Sequence, residues 1–130
     1  AQVSIEAVKL LKDNLMLDPP EAWKQANKIV FGRLRLKSCP KNAFLGPCEE
    51  GLVKGVKPGN YTKSIINKKY AVDAVSLLIK NPDLALDNNS LWDLVISREK
   101  KRHNEQMDVV VALWNNGVLE FLEKYFKTES

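Results

Sequence analysis

The chain has 130 residues, 45% of them hydrophobic and 28% charged, which is the balance of an ordinary soluble domain. No apolar run approaches the roughly 20 residues of a membrane-spanning helix, and no basic stretch followed by an apolar one marks a signal peptide. Two cysteines without a secretory context favour reduced thiols over a disulfide framework. We therefore expect a single cytoplasmic domain over residues 1–130, with no membrane partner.

The formal net charge of +4 is unevenly distributed along the chain. Residues 24–69 carry eleven Lys or Arg against only Glu49 and Glu50, whereas residues 1–23 and 70–130 are each net acidic. Such polarity can steer an anionic partner towards the basic part of the molecule. It is equally compatible with a solvated surface whose lysines keep the protein soluble.

The first two predicted elements are amphipathic helices. Apolar residues at helical spacing over residues 4–14 predict the first helix. Asp18-Pro19-Pro20-Glu21 predicts the start of the second, because Asp can cap, proline tolerates the first turn and Glu follows at the third position. Gly32 can end this helix in a left-handed conformation.

Arg33–Lys37 alternates between basic and apolar residues, which is the period of a strand. A lone strand is unstable and no partner strand is evident, so we expect an extended connector. Ser38 can begin the next helix. Gly46-Pro47 is expected to interrupt that helix, because Pro47 cannot donate the backbone hydrogen bond that a helix interior needs.

A separate short helix is then predicted over residues 47–54. Its positive end would stabilise the Glu49 and Glu50 carboxylates by roughly 0.3–1 kcal/mol each, and one of them could instead pair with a lysine. The two side chains would point to different sides of the helix, so they would not converge as an acid–base couple does. The same helix end would favour the Cys48 thiolate, but we expect burial among apolar neighbours to outweigh that effect.

Lys57-Pro58-Gly59-Asn60 has proline and glycine where a type II turn needs them. A helix is predicted from Thr62 until Asn81-Pro82 stops it. Asn88-Asn89-Ser90 offers a cap for the following helix, with Ser90 as the capping residue.

The last part of the chain contains a polar stretch at residues 97–106. Either one long helix crosses solvent there, or two helices meet in a turn. Apolar periodicity then predicts a helix closed by Asn115-Asn116-Gly117 and a terminal helix from Val118 to Phe126. The complete pattern predicts an all-α, single compact bundle of about six helices, one of them short and bounded by glycine and proline.

Cys39–Gly55 is the least ordinary segment of the chain, since it holds both cysteines, three glycines and two prolines. Conformationally special segments on a rigid scaffold often carry function. We therefore predict a contact surface in residues 39–61 and their basic flanks. The residues expected to form it are Cys39, Lys41, Cys48, Glu49, Glu50, Lys54, Lys57, Tyr61 and Lys63.

Catalytic and metal chemistry find little support in the sequence. Cys39 and Cys48 do not have the CxxC spacing of a zinc knuckle, and His103 is the only histidine, so we expect no metal and no cofactor. A Cys48–His103 dyad would need the fold to bring the two residues together. The simpler interpretation is an inert thiol and an exposed histidine.

Nucleic-acid binding is an alternative, because phosphate contacts require little more than clustered cations. A first run of basic residues comprises Lys24, Lys28, Arg33, Arg35, Lys37 and Lys41. A second cluster comprises Lys54, Lys57, Lys63, Lys68 and Lys69. The sequence shows neither a helix–turn–helix pattern nor an exposed aromatic ladder, so any such binding would be independent of nucleotide sequence.

Five segments carry a resemblance that extends over most of the chain. They are CPKNAFLGPCEEGLVKG at 39–55, GNYTKS at 59–64, NKKYAVDAV at 67–75, WDLV at 92–95 and QMDVVVALWNNG at 106–117. Together they resemble an uncharacterised family of small bacterial proteins. The resemblance implies a bacterial cytoplasmic protein and carries no function.

These patterns favour a non-catalytic binding or interaction module with a protein partner, using residues 39–61 and their basic flanks. One alternative is sequence-independent binding of nucleic acid or another polyanion. The second is a small enzyme that uses Cys48 or Glu49 in a cleft.

Overall fold

The computed structural model describes residues 2–35, 37–97, 103 and 105–120. Within these ranges the chain forms six α-helices and one short 3-10 helix, and it contains no β-strand beyond one isolated bridge. The α-helices are α1 Gln2–Asp13, α2 Pro19–Phe31, α3 Ser38–Glu49, α4 Ile65–Lys80, α5 Asn88–Ile96 and α6 Gln106–Asn115. The predicted all-α fold of about six helices is confirmed. None of the helices in these ranges has the length and apolarity needed to cross a membrane.

The ends of α2 follow the sequence prediction. Asp18 accepts a hydrogen bond from the Glu21 backbone N–H at 3.0 Å, and two prolines occupy the first turn. Gly32 adopts a φ of 70° and donates its N–H to the Lys28 carbonyl at 2.8 Å. Helix α2 is therefore bounded by local chemistry alone, which explains why the sequence identifies it.

The predicted interruption at Gly46-Pro47 is wrong, because α3 runs through Pro47 without a break. An internal proline costs about 3 kcal/mol in a helix. Here Phe44, Leu45, Pro47 and Cys48 are all less than 2% exposed, so burial of the whole turn offsets the missing bond. The short helix at residues 47–54 does not form, and Glu49 and Glu50 lie at the C-terminal end of α3.

Gly46 allows α3 and α4 to approach each other closely. A methyl group added at Gly46 would lie 2.7 Å from the Lys68 Cα, which is backbone of α4. Real side-chain carbons do not come so near to backbone atoms. Glycine is required here for packing, since its φ is not positive.

Of the two helix boundaries predicted between Lys80 and Ser90, one is confirmed and one is wrong. Helix α4 ends at Lys80, before Pro82, as predicted, but α5 is capped by Asp87. The Asp87 carboxylate accepts from the N–H groups of Asn89 and Ser90, and it also accepts from the Ser90 hydroxyl at 2.8 Å. Ser90, predicted to be the cap, is thus a donor in the first turn.

The polar stretch at residues 97–106 does not form one continuous helix, because α5 ends at Ile96 and α6 begins at Gln106. Residues 98–102 and 104 lie outside the described residues. The predicted terminal helix is wrong at its start, where Val53 and Leu119 form an antiparallel bridge. Lys54 N–H donates to the Val118 carbonyl at 2.8 Å. The rest of that prediction, residues 121–126, lies outside the described residues.

Candidate functional site

Glu49 joins the end of α3 to the loop that leads into α4. Its Oε1 accepts from the backbone N–H groups of Tyr61 at 2.8 Å and Thr62 at 3.2 Å, and its Oε2 accepts from Lys68 Nζ at 2.5 Å. The Glu49 carbonyl also accepts from Gly59 N–H at 3.2 Å. Burial raises the pKa of the Glu49 carboxyl, but the hydrogen bonds from Lys68, Thr62 and Tyr61 outweigh it and hold the pKa below its ordinary value. We call Glu49 and these partners the Glu49 clamp.

The two adjacent carboxylates meet at Lys68, contrary to the prediction that they diverge. Glu50 Oε2 lies 3.2 Å from Lys68 Nζ, which also binds Glu49. They converge because α3 ends between them, so Glu50 departs from helical geometry. The prediction of a lysine partner is confirmed, whereas stabilisation by a helix N-terminus is wrong. The hydrogen bond to Glu49 raises the pKa of Lys68, against burial, and this favours the charged form of the lysine.

Tyr61 folds back over the turn that precedes it. Its hydroxyl donates to the Lys57 carbonyl at 2.6 Å, and a methyl group added at Gly59 would lie 2.8 Å from the Tyr61 ring. The predicted type II turn is wrong, because it requires a positive φ at Gly59. The glycines with positive φ are Gly32, Gly51, Gly55 and Gly117. Gly59 is needed for space under the ring instead.

The two cysteines occupy different environments on α3. Cys48 is 0% exposed, and burial raises the pKa of its thiol far above the ordinary value. Burial therefore governs this thiol, but the predicted opposing effect of a helix N-terminus is absent, because Cys48 lies in the last turn of α3. Cys39 is half-buried, and its sulfur lies 3.8 Å from Asn67 Nδ2. A partner cannot touch Cys48 in this structure, so Cys48 does not belong to an exposed contact surface.

His103 is engaged at the start of α6. Its Nε2 accepts the Met107 backbone N–H at 3.0 Å, and its ring centroid lies 5.2 Å from that of Trp92. One of its two ring nitrogens is thus occupied by the backbone, and Cys48 is a fully buried thiol whose pKa is raised. The Cys48–His103 dyad receives no support. Among the described residues, no group of three or more His, Cys, Asp or Glu side chains is placed to hold a metal ion.

The lysines of the predicted contact surface divide between two places. Lys54, Lys57 and Lys63 are exposed on the loop that follows α3. Lys41 lies in the first turn of α3 and lines a cavity. Of the nine predicted site residues, Lys41 alone lines this cavity.

The cavity has a volume of about 540 Å³ and lies between α2, the connector and the start of α3. Its basic lining residues are Lys24, Arg35, Lys37 and Lys41, and its acidic ones are Asp18 and Glu21. Pro20, Trp23 and Leu34 supply the apolar wall. We call this site the basic cavity.

The connector, residues 33–37, is held to α2 by a buried amide. Asn27 is 3% exposed, and its Oδ1 accepts from the Arg35 backbone N–H at 2.8 Å. The Arg35 guanidinium carbon lies 5.0 Å from the centre of the Phe31 ring. Both contacts fix the connector as one wall of the basic cavity, although residue 36 lies outside the described residues.

The connector also contacts the start of α6. Glu105 Oε2 lies 3.4 Å from Arg35 Nη2 and also accepts from Lys37 Nζ. Arg35 and Lys37 therefore line both the basic cavity and a second cavity of about 30 Å³, which Glu105 also lines.

The sequence pattern places Lys24, Arg35 and Lys37 only in a general basic run. Asn27 was not among the predicted site residues, although the sequence contains a signal for it. Asn27 follows Trp23 by four residues, so it lies on the inward face of α2. A buried amide on such a face needs a partner, and an extended connector offers backbone N–H groups.

A family model describing a family of unknown function (DUF6979) matches residues 1–120. The chain belongs to this family. This confirms the resemblance to an uncharacterised family without transferable function. No curated protein and no solved structure matches the chain.

Proposed function

We propose that the protein is a non-catalytic binding module that holds a small organic anion in the basic cavity. The observation that carries the proposal is the convergence of four basic side chains on one cavity of about 540 Å³. Sites for small molecules typically have volumes of about 300–1,000 Å³, with mostly apolar walls and a few polar groups that orient the ligand. The basic cavity has both properties.

The charge of the lining favours an anion. Four basic residues face two acidic ones, and one of the acids, Asp18, already caps α2. Lys24 and Lys41 are exposed and form no ion pair within the described ranges. These two ammonium groups can therefore neutralise a carboxylate, sulfonate or phosphate without first losing a partner.

The apolar wall indicates that the ligand also has an apolar part. Leu34 is 41% exposed at the cavity, and Trp23 and Pro20 provide further apolar surface. Covering such surface stabilises a complex by roughly 25 cal/mol per Å². An inorganic ion would leave this surface in water, whereas an organic anion would cover it.

A polyanion such as nucleic acid fits the basic cavity less well. Asp18 and Glu21 lie among the basic residues of the lining, and they would repel a continuous phosphate backbone. Contact through residues 39–61, with Lys54, Lys57 and Lys63, stays a prediction of the sequence.

Anilinonaphthalene sulfonate, which has one sulfonate and an aromatic body, is a suitable probe. We expect one molecule to bind per chain, measured by its fluorescence in low salt. Replacing both Lys24 and Lys41 by Met should weaken binding about fivefold or more, since each lost ion pair is worth about 0.5–1 kcal/mol. The matched control, K54M/K63M, removes the same charge from the loop after α3 and should change affinity less than twofold.

Equal weakening by the two double variants would show a general charge effect and overturn the proposal. Unchanged binding by K24M/K41M would also overturn it. Circular dichroism and urea unfolding establish that each variant is folded before its affinity is compared.

A further inference from the structure

We propose that Glu105 is an internal competitor for the cations of the basic cavity, and thereby sets its affinity for anions. The inference rests on the proposed function and concerns regulation of the same site. An anion that engages Arg35 or Lys37 must compete with a carboxylate that belongs to the protein itself.

The first support is that two connector residues line both cavities. Arg35 and Lys37 line both of them, whereas Glu105 lines only the smaller one. The side chains of Arg35 and Lys37 are each 38% exposed, and that of Glu105 is 33% exposed. Groups this accessible can exchange one anionic partner for another without opening the core.

The second support is the backbone that presents Glu105. Its φ of 67° and ψ of 6° are left-handed, a conformation that a residue other than glycine rarely adopts. Glu105 holds the N-cap position of α6, and its carbonyl accepts from Val109 N–H at 3.3 Å. The carboxylate is thereby delivered to the connector at a conformational cost of roughly 1–2 kcal/mol.

The third support is the ionised state of Glu105. The hydrogen bond from Lys37 lowers the pKa of its carboxyl, against burial, and the charges of Lys37 and Arg35 lower it further. Glu105 therefore carries a full negative charge at neutral pH and cancels part of the positive field that the connector gives the cavity.

Loss of the Glu105 charge should raise the affinity of the basic cavity for anions. Removing the Glu105 charge frees two of the four cavity cations for a ligand and raises the local positive charge. By linkage, an anion in the cavity weakens the hold of Glu105 on the connector by the same factor.

The test is Glu105→Gln, which keeps the length of the side chain and removes its charge. Binding of anilinonaphthalene sulfonate in low salt should become about threefold tighter or more. Asp73→Asn is the matched control, because Asp73 forms an exposed ion pair with Lys69 within α4 and does not line the cavity. This control should change affinity by less than about 1.5-fold.

Glu105→Asn gives a second route, since asparagine tolerates left-handed backbone better than most residues. It removes the same charge and should tighten binding to a similar degree. Unchanged or weaker binding by both folded Glu105 variants would overturn the inference. So would an equal gain in Asp73→Asn.

The outcomes also separate this inference from the proposed function. If K24M/K41M weakens binding but neither Glu105 variant tightens it, the competitor role fails and the cavity site stands. If K24M/K41M leaves binding unchanged, the cavity site itself fails.

Discussion

The loop after α3 and the connector before α3 use charged residues in opposite ways. In the Glu49 clamp, the carboxylate accepts two backbone N–H groups and a lysine, and its side chain is only 12% exposed. In the basic cavity, Lys24 and Lys41 are exposed beside an apolar wall. The charged groups of the clamp are therefore already paired, whereas Lys24 and Lys41 of the cavity can bind a ligand.

This contrast changes the interpretation of the unusual segment Cys39–Gly55, which was predicted to form a contact surface. The glycines and prolines near Glu49 serve close packing and tight turns within the chain. Unexceptional lysines on α2 and α3 line the larger cavity. An unusual segment can thus owe its glycines and prolines to contacts within the chain. Three measurements test this contrast.

Gly46→Ala should have the largest effect on stability. Alanine in a helix interior normally gains about 0.5–1 kcal/mol over glycine. Here the new methyl group would lie 2.7 Å from the Lys68 Cα, so we expect a loss of about 3 kcal/mol from overpacking. Urea unfolding followed by circular dichroism measures the difference.

Gly32→Ala is the control for this variant. Its added methyl group meets nothing within 4 Å, although its φ is 70°. It should lose only about 1 kcal/mol, through left-handed backbone. A gain in stability for Gly46→Ala would show that α3 and α4 are not in close contact.

Glu49→Gln should lose about 2 kcal/mol, because hydrogen bonds to a charged partner are worth about 1.5–3 kcal/mol. Glu50→Gln is the matched control, because it removes the same charge from the neighbouring residue, whose side chain is 30% exposed. It should lose no more than about 1 kcal/mol. Equal losses in urea unfolding would contradict a special role for Glu49 in holding the loop.

The contribution of the Glu49 clamp should also appear in the pH dependence of stability, as a smaller change than the one caused by Glu49→Gln. The folded-state pKa of Glu49 lies below its ordinary value, so its contribution is complete above the unfolded-state pKa and is lost as pH falls through the folded-state value. Glu105 and Asp87 behave in the same way, since their folded-state pKa values are also lowered.

The urea midpoint of the unchanged protein should therefore fall more steeply below about pH 4.5 than that of Glu49→Gln. Glu105 and Asp87 contribute to both proteins, which leaves the difference to Glu49. Parallel curves would contradict the assignment of a lowered pKa to Glu49.

The fold class could be predicted because the signals that define it are local. Asp18, Gly32 and Asn81-Pro82 act within a few residues, and they bound their helices as expected. The prediction failed at Pro47, where burial against other helices outweighed a local rule. It failed again at Gly59, where the side chain of Tyr61 requires space that the turn pattern does not reveal.

The candidate site could be predicted only in part, for a related reason. Lys41 was named, but the cavity arises when α2, the connector and α3 meet. Glu105 contacts Arg35 and Lys37 from a distant part of the chain. Neither the volume between two helices nor an ion pair across the fold has a signal in local sequence.

The two thiols of α3 can be used to measure transient opening of the native protein. Cys39 is half-buried while Cys48 is wholly enclosed, and both belong to the same helix. A thiol reagent can modify Cys48 only during transient openings that lift this part of α3 from its neighbours. The rate at Cys48, divided by its rate in unfolded chains, gives the opening equilibrium constant when closing is fast. Cys39 reports, in the same experiment, reactivity that needs no such opening.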